Sequence, residues 1–163
     1  MLALDLAQRN AAGCHPDLAA SFNNLADIHF AQDRPGEAEP LYKQALEVWE
    51  RAVARRYPDT VDYRAINLQS DMAASLNNLA ALCHETGRHE EAGPLFLRAQ
   101  EVLQRAHGPK SISVAINLFN LARHYRRTDQ LLEAKKVRAK AVRIARHHGL
   151  DLKSLEEKYA FGR

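Results

Sequence analysis

Apolar residues return along this chain at helical spacing, in blocks that repeat. Phe22, Leu25, Ala26 and His29 fall at i, i+3, i+4 and i+7, which puts them on one helical stripe. Leu76, Leu79, Ala80 and Cys83 repeat that stripe, and Leu118, Leu121, Ala122 and Tyr125 repeat it again. A second kind of block follows each one: Ala38, Leu41, Tyr42 and Ala45, then Ala92, Leu95, Phe96 and Ala99, then the looser run from Glu133 to Val142. Short polar stretches separate first from second blocks, as in Asp33-Arg34-Pro35-Gly36, Thr86-Gly87-Arg88-His89 and Thr128-Asp129-Gln130. Connections this short predict antiparallel helix pairs. Ala26, Ala80 and Ala122 leave room for close approach of a partner helix, and Tyr42 and Phe96 fill the space opposite.

The second and third copies are offset by 42 residues (Leu79 to Leu121), and the first and second by 54 (Leu25 to Leu79), one period plus 12 inserted residues. A fixed period of this length is the signature of an all-α solenoid. Pro40 and Pro94 are read as lying in the first turn of a second helix, where an N–H has no intrahelical acceptor. His15-Pro16-Asp17, Tyr57-Pro58-Asp59 and Gly108-Pro109-Lys110-Ser111 punctuate the units, with Asp17 and Ser111 as expected N-caps.

Register divides the single domain as follows. Residues 1–14 read as the second helix of an incomplete repeat, 15–58 as repeat 1, 59–71 as an insertion, 72–108 as repeat 2 and 109–148 as repeat 3. Residues 149–163 read as an amphipathic C-terminal capping helix (Leu152, Leu155, Tyr159) of the kind repeat arrays need. The insertion either extends the helix that follows it or continues the helix before it past Arg56. Beginning inside a repeat, the chain reads as a fragment of a longer protein or as an array whose first helix is a cap.

Charge changes the picture more than composition does. The net charge of +3 hides an asymmetry: residues 1–108 carry ten Lys and Arg against fifteen Asp and Glu, and residues 109–148 carry ten against two. One end is acidic and the other basic, which bears on partners. No apolar run approaches the ~20 residues that span a bilayer, and no signal peptide is visible, so the expected location is cytoplasmic and away from membranes. Cys14 and Cys83 lack framework spacing and are expected as free thiols.

Three motifs carry a family resemblance: His15-Pro16-Asp17, Asn23-Asn24-Leu25-Ala26 and Glu37-Ala38-Glu39-Pro40-Leu41-Tyr42. Over residues 1–148 the pattern strongly resembles the tetratricopeptide (TPR) repeats of kinesin light chains and their bacterial relatives. The resemblance implies 42-residue units, a right-handed superhelix and a concave groove that holds peptide segments of partners. Asp33 and Asp129 stand where the turn Gly is usual, and Arg138 replaces the aromatic of Tyr42 and Phe96. The heptad segment that joins true light chains to their motor is absent from this sequence, so the resemblance does not extend to motor function.

By that resemblance the first helix of each unit lines the groove, opposite its core stripe. The expected columns are Asn23, Asn77 and Phe119; Asp27, Ala81 and Arg123; Phe30, His84 and Arg126; and Ala31, Glu85 and Arg127, with Asn24, Asn78 and Asn120 beside them. An Asn amide offers donors and an acceptor to an extended peptide backbone whatever the peptide's sequence. Arg123 and Arg127, spaced i, i+4, with Arg126 nearby, suit a peptide with an acidic segment or a free C-terminus. The expected partner is therefore a protein or peptide. Nucleic-acid binding by the basic third repeat is the weaker reading, because Lys135, Lys136, Lys140 and Arg143 sit on the second helix and few aromatics are available for stacking. A third reading is homodimerisation through the N-terminal half-repeat, as the self-association module of a larger signalling protein.

Catalytic constellations and cofactor loops are not visible. His84 and His89 are five apart with Gly87 between them, not the i, i+4 pair of a zinc protease, and no second ligand pair completes a metal site. Glu37, Glu91 and Glu133 are explained as first-turn residues favoured by the helix dipole.

Overall fold

A computed structural model describes residues 16–56 and 63–151. Among these, six α-helices follow one another: α1 Pro16–Ala31, α2 Pro35–Arg56, α3 Tyr63–Glu85, α4 His89–His107, α5 Ile112–Arg127 and α6 Leu131–His147. No strand occurs among the described residues. The incomplete repeat expected over 1–14 and the greater part of the expected C-terminal cap lie outside them. Two compact units divide the chain, Met1–Leu82 and Cys83–Arg163, with the boundary inside α3. In the first, α1 packs along α2; in the second, α5 packs against both α4 and α6.

The alanine columns explain why these helices pair closely. Ala26, Ala80 and Ala122 have no exposed surface, and neither do Ala45, Ala99 and Ala141. Where α1 meets α2 and α5 meets α6, such small residues let the two backbones approach closely, and larger neighbours fill the flanks. Tyr42 and Phe96 are 1% exposed, the aromatic positions of two successive second helices. Arg138, their counterpart in α6, is exposed.

The three described turns that join a first helix to its second share one backbone solution. Asp33, Gly87 and Asp129 occupy the left-handed region at φ 58°, 78° and 60°. In each case the next residue's N–H reaches back five residues: Arg34 to the His29 carbonyl at 3.0 Å, Arg88 to Cys83 at 2.7 Å, Gln130 to Tyr125 at 2.8 Å. That is a Schellman closure, which satisfies carbonyls the helix end would orphan. Two of the three turns place an aspartate where glycine would be unstrained.

Several expectations need correction. The second helices begin at Pro35 and His89, earlier than the pattern suggested, so Pro40 and Pro94 lie inside α2 and α4 and not in their first turns. The carbonyls they leave unpaired belong to exposed Gly36 and Glu90, where water can serve them. Asp17 follows Pro16 within the first turn of α1 and is not its cap. Ser111 does cap α5, accepting from the Val114 N–H at 3.4 Å. Residues 63–71 of the insertion are helical and lengthen α3 to 23 residues, against 16 in α1 and α5. Leu25 is 44% exposed although its counterparts Leu79 and Leu121 are buried.

Candidate functional site

Three of the residues expected in the groove, Asn23, Asp27 and Asn78, meet in the first unit, and a tyrosine joins them. Asp27, near the end of α1, accepts the Tyr42 hydroxyl at 2.6 Å on Oδ1. Asn78 Nδ2, from α3, donates to the same oxygen at 3.0 Å, and Asn23 Nδ2, one turn back in α1, donates to Oδ2 at 3.4 Å. Three helices are thus tied at one carboxylate. Burial, followed by hydrogen bonding to Asp27 and its negative charge, pushes the Tyr42 phenol well above its ordinary range. The hydroxyl therefore remains a donor, and its aromatic ring is anchored in the core.

The repeats themselves show that this pair is a unit. One repeat further on, Tyr42 becomes Phe96 and Asp27 becomes Ala81. Hydroxyl and carboxylate are lost together, so neither is left buried without its partner. Tyr42 was read from the sequence only as a space-filler; the paired change to Phe96 and Ala81 was the available signal of its second role.

Asn23 and Asn77, equivalent positions of successive repeats, share another property. Each is half-buried, and each carries a buried side-chain oxygen that accepts no hydrogen bond. A buried acceptor without a donor costs on the order of 1–3 kcal/mol, so turning the amide outward to meet a donor at the surface would be favoured. Asn24 is exposed and Asn120 is half-buried.

In the second unit the expected residues separate. Phe119 is fully buried and His84 is 2% exposed, so neither lines a surface. For Phe119 the reason is that α5 is covered on two sides, by α4 and α6; His84, at the end of α3, is covered by His89 and His124. Arg123 is half-buried; Arg126 and Arg127 are exposed. Arg127 pairs with Glu85 at 3.3 Å and lies 3.2 Å from His84 Nδ1. A guanidinium can only donate, so His84 Nδ1 accepts and its proton sits on Nε2, which is buried without a partner.

His84 is one of three packed imidazoles the sequence did not reveal. Its ring meets His89 at 4.6 Å and His124 at 5.6 Å between centroids, both edge to face. Burial first, then the neighbouring His89, Arg127, His124 and Arg123, lower the His84 pKa to about 4. Burial and His89 likewise lower that of His124. Gly93 makes room for the cluster, since a Cβ there would lie 3.0 Å from His124 Nε2. Beside it opens a cavity of about 750 Å³ lined by His89, Gly93, His124, Tyr125 and Thr128 among others. Among the described residues no group of three His, Cys, Asp or Glu side chains is arranged to hold a metal ion. No described helix is long and apolar enough to cross a membrane.

Two family models, both described as tetratricopeptide repeat, match residues 18–59 and 71–147. Among solved structures, the chain is similar to the crystal structure of BtubC (BKLC) from P. vanneervenii, with a TM-score of 0.69 and 24% identity. That similarity takes in 91% of this chain and 54% of the other, so the chain spans about half the length of that relative. No curated protein matches.

Proposed function

From the premise that the chain is an all-α tetratricopeptide-repeat protein of the kinesin light chain-like type, we propose that it binds a peptide segment of a partner protein along its first helices. Tetratricopeptide repeats mediate protein–protein interaction. The observation that carries the finer reading is the pair of unpartnered buried oxygens on Asn23 and Asn77. An extended peptide presents backbone N–H donors suited to such acceptors, and its sequence does not matter to that contact.

The Asp27 hub supports this by holding Asn23 and Asn78 before any ligand arrives. Side chains already fixed lose little entropy on binding, so most of the ordering falls on the peptide. In the second unit, the exposed Glu85–Arg127 pair is weakly held, because exposed ion pairs contribute only about 0–1 kcal/mol. An incoming carboxylate can take the place of Glu85, which favours a peptide with an acidic segment or a free C-terminus.

Selection from a displayed peptide library, followed by calorimetric titration against wild type, Asn23→Ala and Asn77→Ala, tests the proposal. Binders with Kd on the order of micromolar are expected, each weakened by both substitutions. Equal affinity for all three proteins would remove the asparagines from the interface.

A further inference from the structure

The strongest unassigned feature is a cavity at the other end of the second unit's helix pair. It has a volume of about 540 Å³ and is lined by Pro109, Lys110, Lys140, Arg143, Ile144 and His147. Of the six described residues that line it, four are basic or can become so, and none of the six is acidic. Lys140, Arg143, Ile144 and His147 fall at i, i+3, i+4 and i+7 of α6, a single face. Lys110 comes from the connection before α5, so two elements converge their cations on one hollow.

Six other cations of the described chain are already paired. Arg34, Lys43, Arg51, Arg88, Arg127 and Lys136 each lie within 4 Å of a carboxylate, as at Lys136–Glu133 (2.7 Å) and Lys43–Glu39 (2.7 Å). Among the described residues, the side chains of Lys110, Lys140 and Arg143 form no ion pair. The helix dipole accounts for His147, in the last turn of α6, but not for Lys140 two turns earlier or for Lys110 on a separate segment. Like charges gathered in a concavity repel one another unless an anion neutralises them.

The hollow is also held in shape. His148 Nε2 lies 2.7 Å from the Lys110 carbonyl, and a carbonyl can only accept, so the imidazole donates and ties the connection to the end of α6. Pro109 restricts the backbone just before it. Ile144 and Pro109 supply apolar lining between the charges.

We propose that this cavity binds a compact multivalent phosphate, a phosphomonoester or oligophosphate, through Lys110, Lys140, Arg143 and His147. The planar Arg143 fork suits two phosphate oxygens, and the lysines add point charges around them. A nucleic-acid strand is disfavoured by the form of the site: the cations gather at one hollow, and none of its described lining residues is an aromatic suited to base stacking, as Phe, Tyr or Trp would be. The proposal is independent of the peptide reading, since it shares no residue with the asparagine face.

Titration of the full chain with pyrophosphate, followed by two-dimensional NMR at constant ionic strength, tests it. Saturable shifts at Lys110, Ile144, His147 and His148 are expected, with no such response to added chloride. Lys140→Glu with Arg143→Glu should weaken binding by about a hundredfold, from the loss of two charge-assisted contacts. Lys135→Glu with Lys136→Glu makes the same charge change outside the cavity and should retain binding within a few-fold; circular dichroism checks that both variants fold. Inorganic phosphate and a phosphoserine dipeptide, as separate arms, distinguish a free anion from a phosphorylated side chain. The proposal fails if the shifts are linear and match those of chloride, or if both double variants lose binding equally. It fails too if a single-stranded oligoribonucleotide binds more tightly than pyrophosphate and does so in the Lys140→Glu, Arg143→Glu variant.

Discussion

Acid should destabilise the second unit through His84, and the magnitude follows from its surroundings. In the folded chain His84 is 2% exposed and accepts from Arg127 on Nδ1, so a proton there would face a guanidinium at 3.2 Å. Its pKa is lowered from 6.5 to about 4. The unfolded chain takes up the proton below about pH 6.5 and the folded chain does not until about pH 4. Between those values the unfolded state holds more protons, so folding stability falls as pH falls. A shift of this size corresponds to about 3 kcal/mol once both states are protonated, and to about 2 kcal/mol at pH 5. His124, shifted in the same direction by burial and by His89, adds to the loss. Urea denaturation at a series of pH values, monitored by circular dichroism, measures the slope. His84→Asn keeps an acceptor for Arg127 but cannot titrate; it should remove about 2 kcal/mol of the decline between pH 7 and pH 5, whatever its own stability. The same slope in wild type and variant would refute the reasoning. So would an NMR titration in which the His84 ring changes charge near pH 6.5.

Three further outcomes are expected. Tyr42→Phe should cost about 1.5–2 kcal/mol in urea denaturation by removing a donor from the Asp27 carboxylate, while Tyr42→Phe with Asp27→Ala, which copies Phe96 and Ala81, should recover part of that loss; additive losses would contradict the coupling. Asp129→Gly should raise stability by roughly 0.5–1 kcal/mol, seen as a higher Tm, because the residue holds a left-handed φ of 60°. Gly93→Ala should destabilise wild type through its contact with the His124 ring, yet stabilise a His124→Ala background by about 1 kcal/mol through helix propensity; a loss in both backgrounds would show that the ring is not the obstacle.

Much of the fold was legible because it depends on spacing. The columns Ala26, Ala80, Ala122 and Ala45, Ala99, Ala141 appear in the sequence at regular positions of the repeats, and every one of them is fully buried. The turn aspartates were legible for the same reason, since Asp33 and Asp129 align with Gly87. Spacing gave less help with the faces. Phe119 and His84 were placed on a surface by counting one residue from the core stripe, which assumes a helix packed on one side; α5, which carries Phe119, is packed on two, and His84 of α3 is covered by His89 and His124. The Asp27 hub joins residues 15 and 51 positions apart, and no local pattern encodes such a meeting. The histidine cluster was hidden because His84, His89 and His124 occupy unrelated repeat positions and come together only in the folded unit. Pro40 misled for a local reason: the Schellman turn at Asp33 starts α2 at once, leaving the proline a full turn inside.

The central claim is that a partner's backbone pairs with the amides of the first unit. Side-chain NH₂ signals of asparagine in ¹⁵N-labelled protein report this directly when a selected peptide is titrated in. Movement of the Asn23, Asn77 and Asn78 signals in step with saturation is the predicted result. Saturable binding that leaves all three signals in place would contradict it.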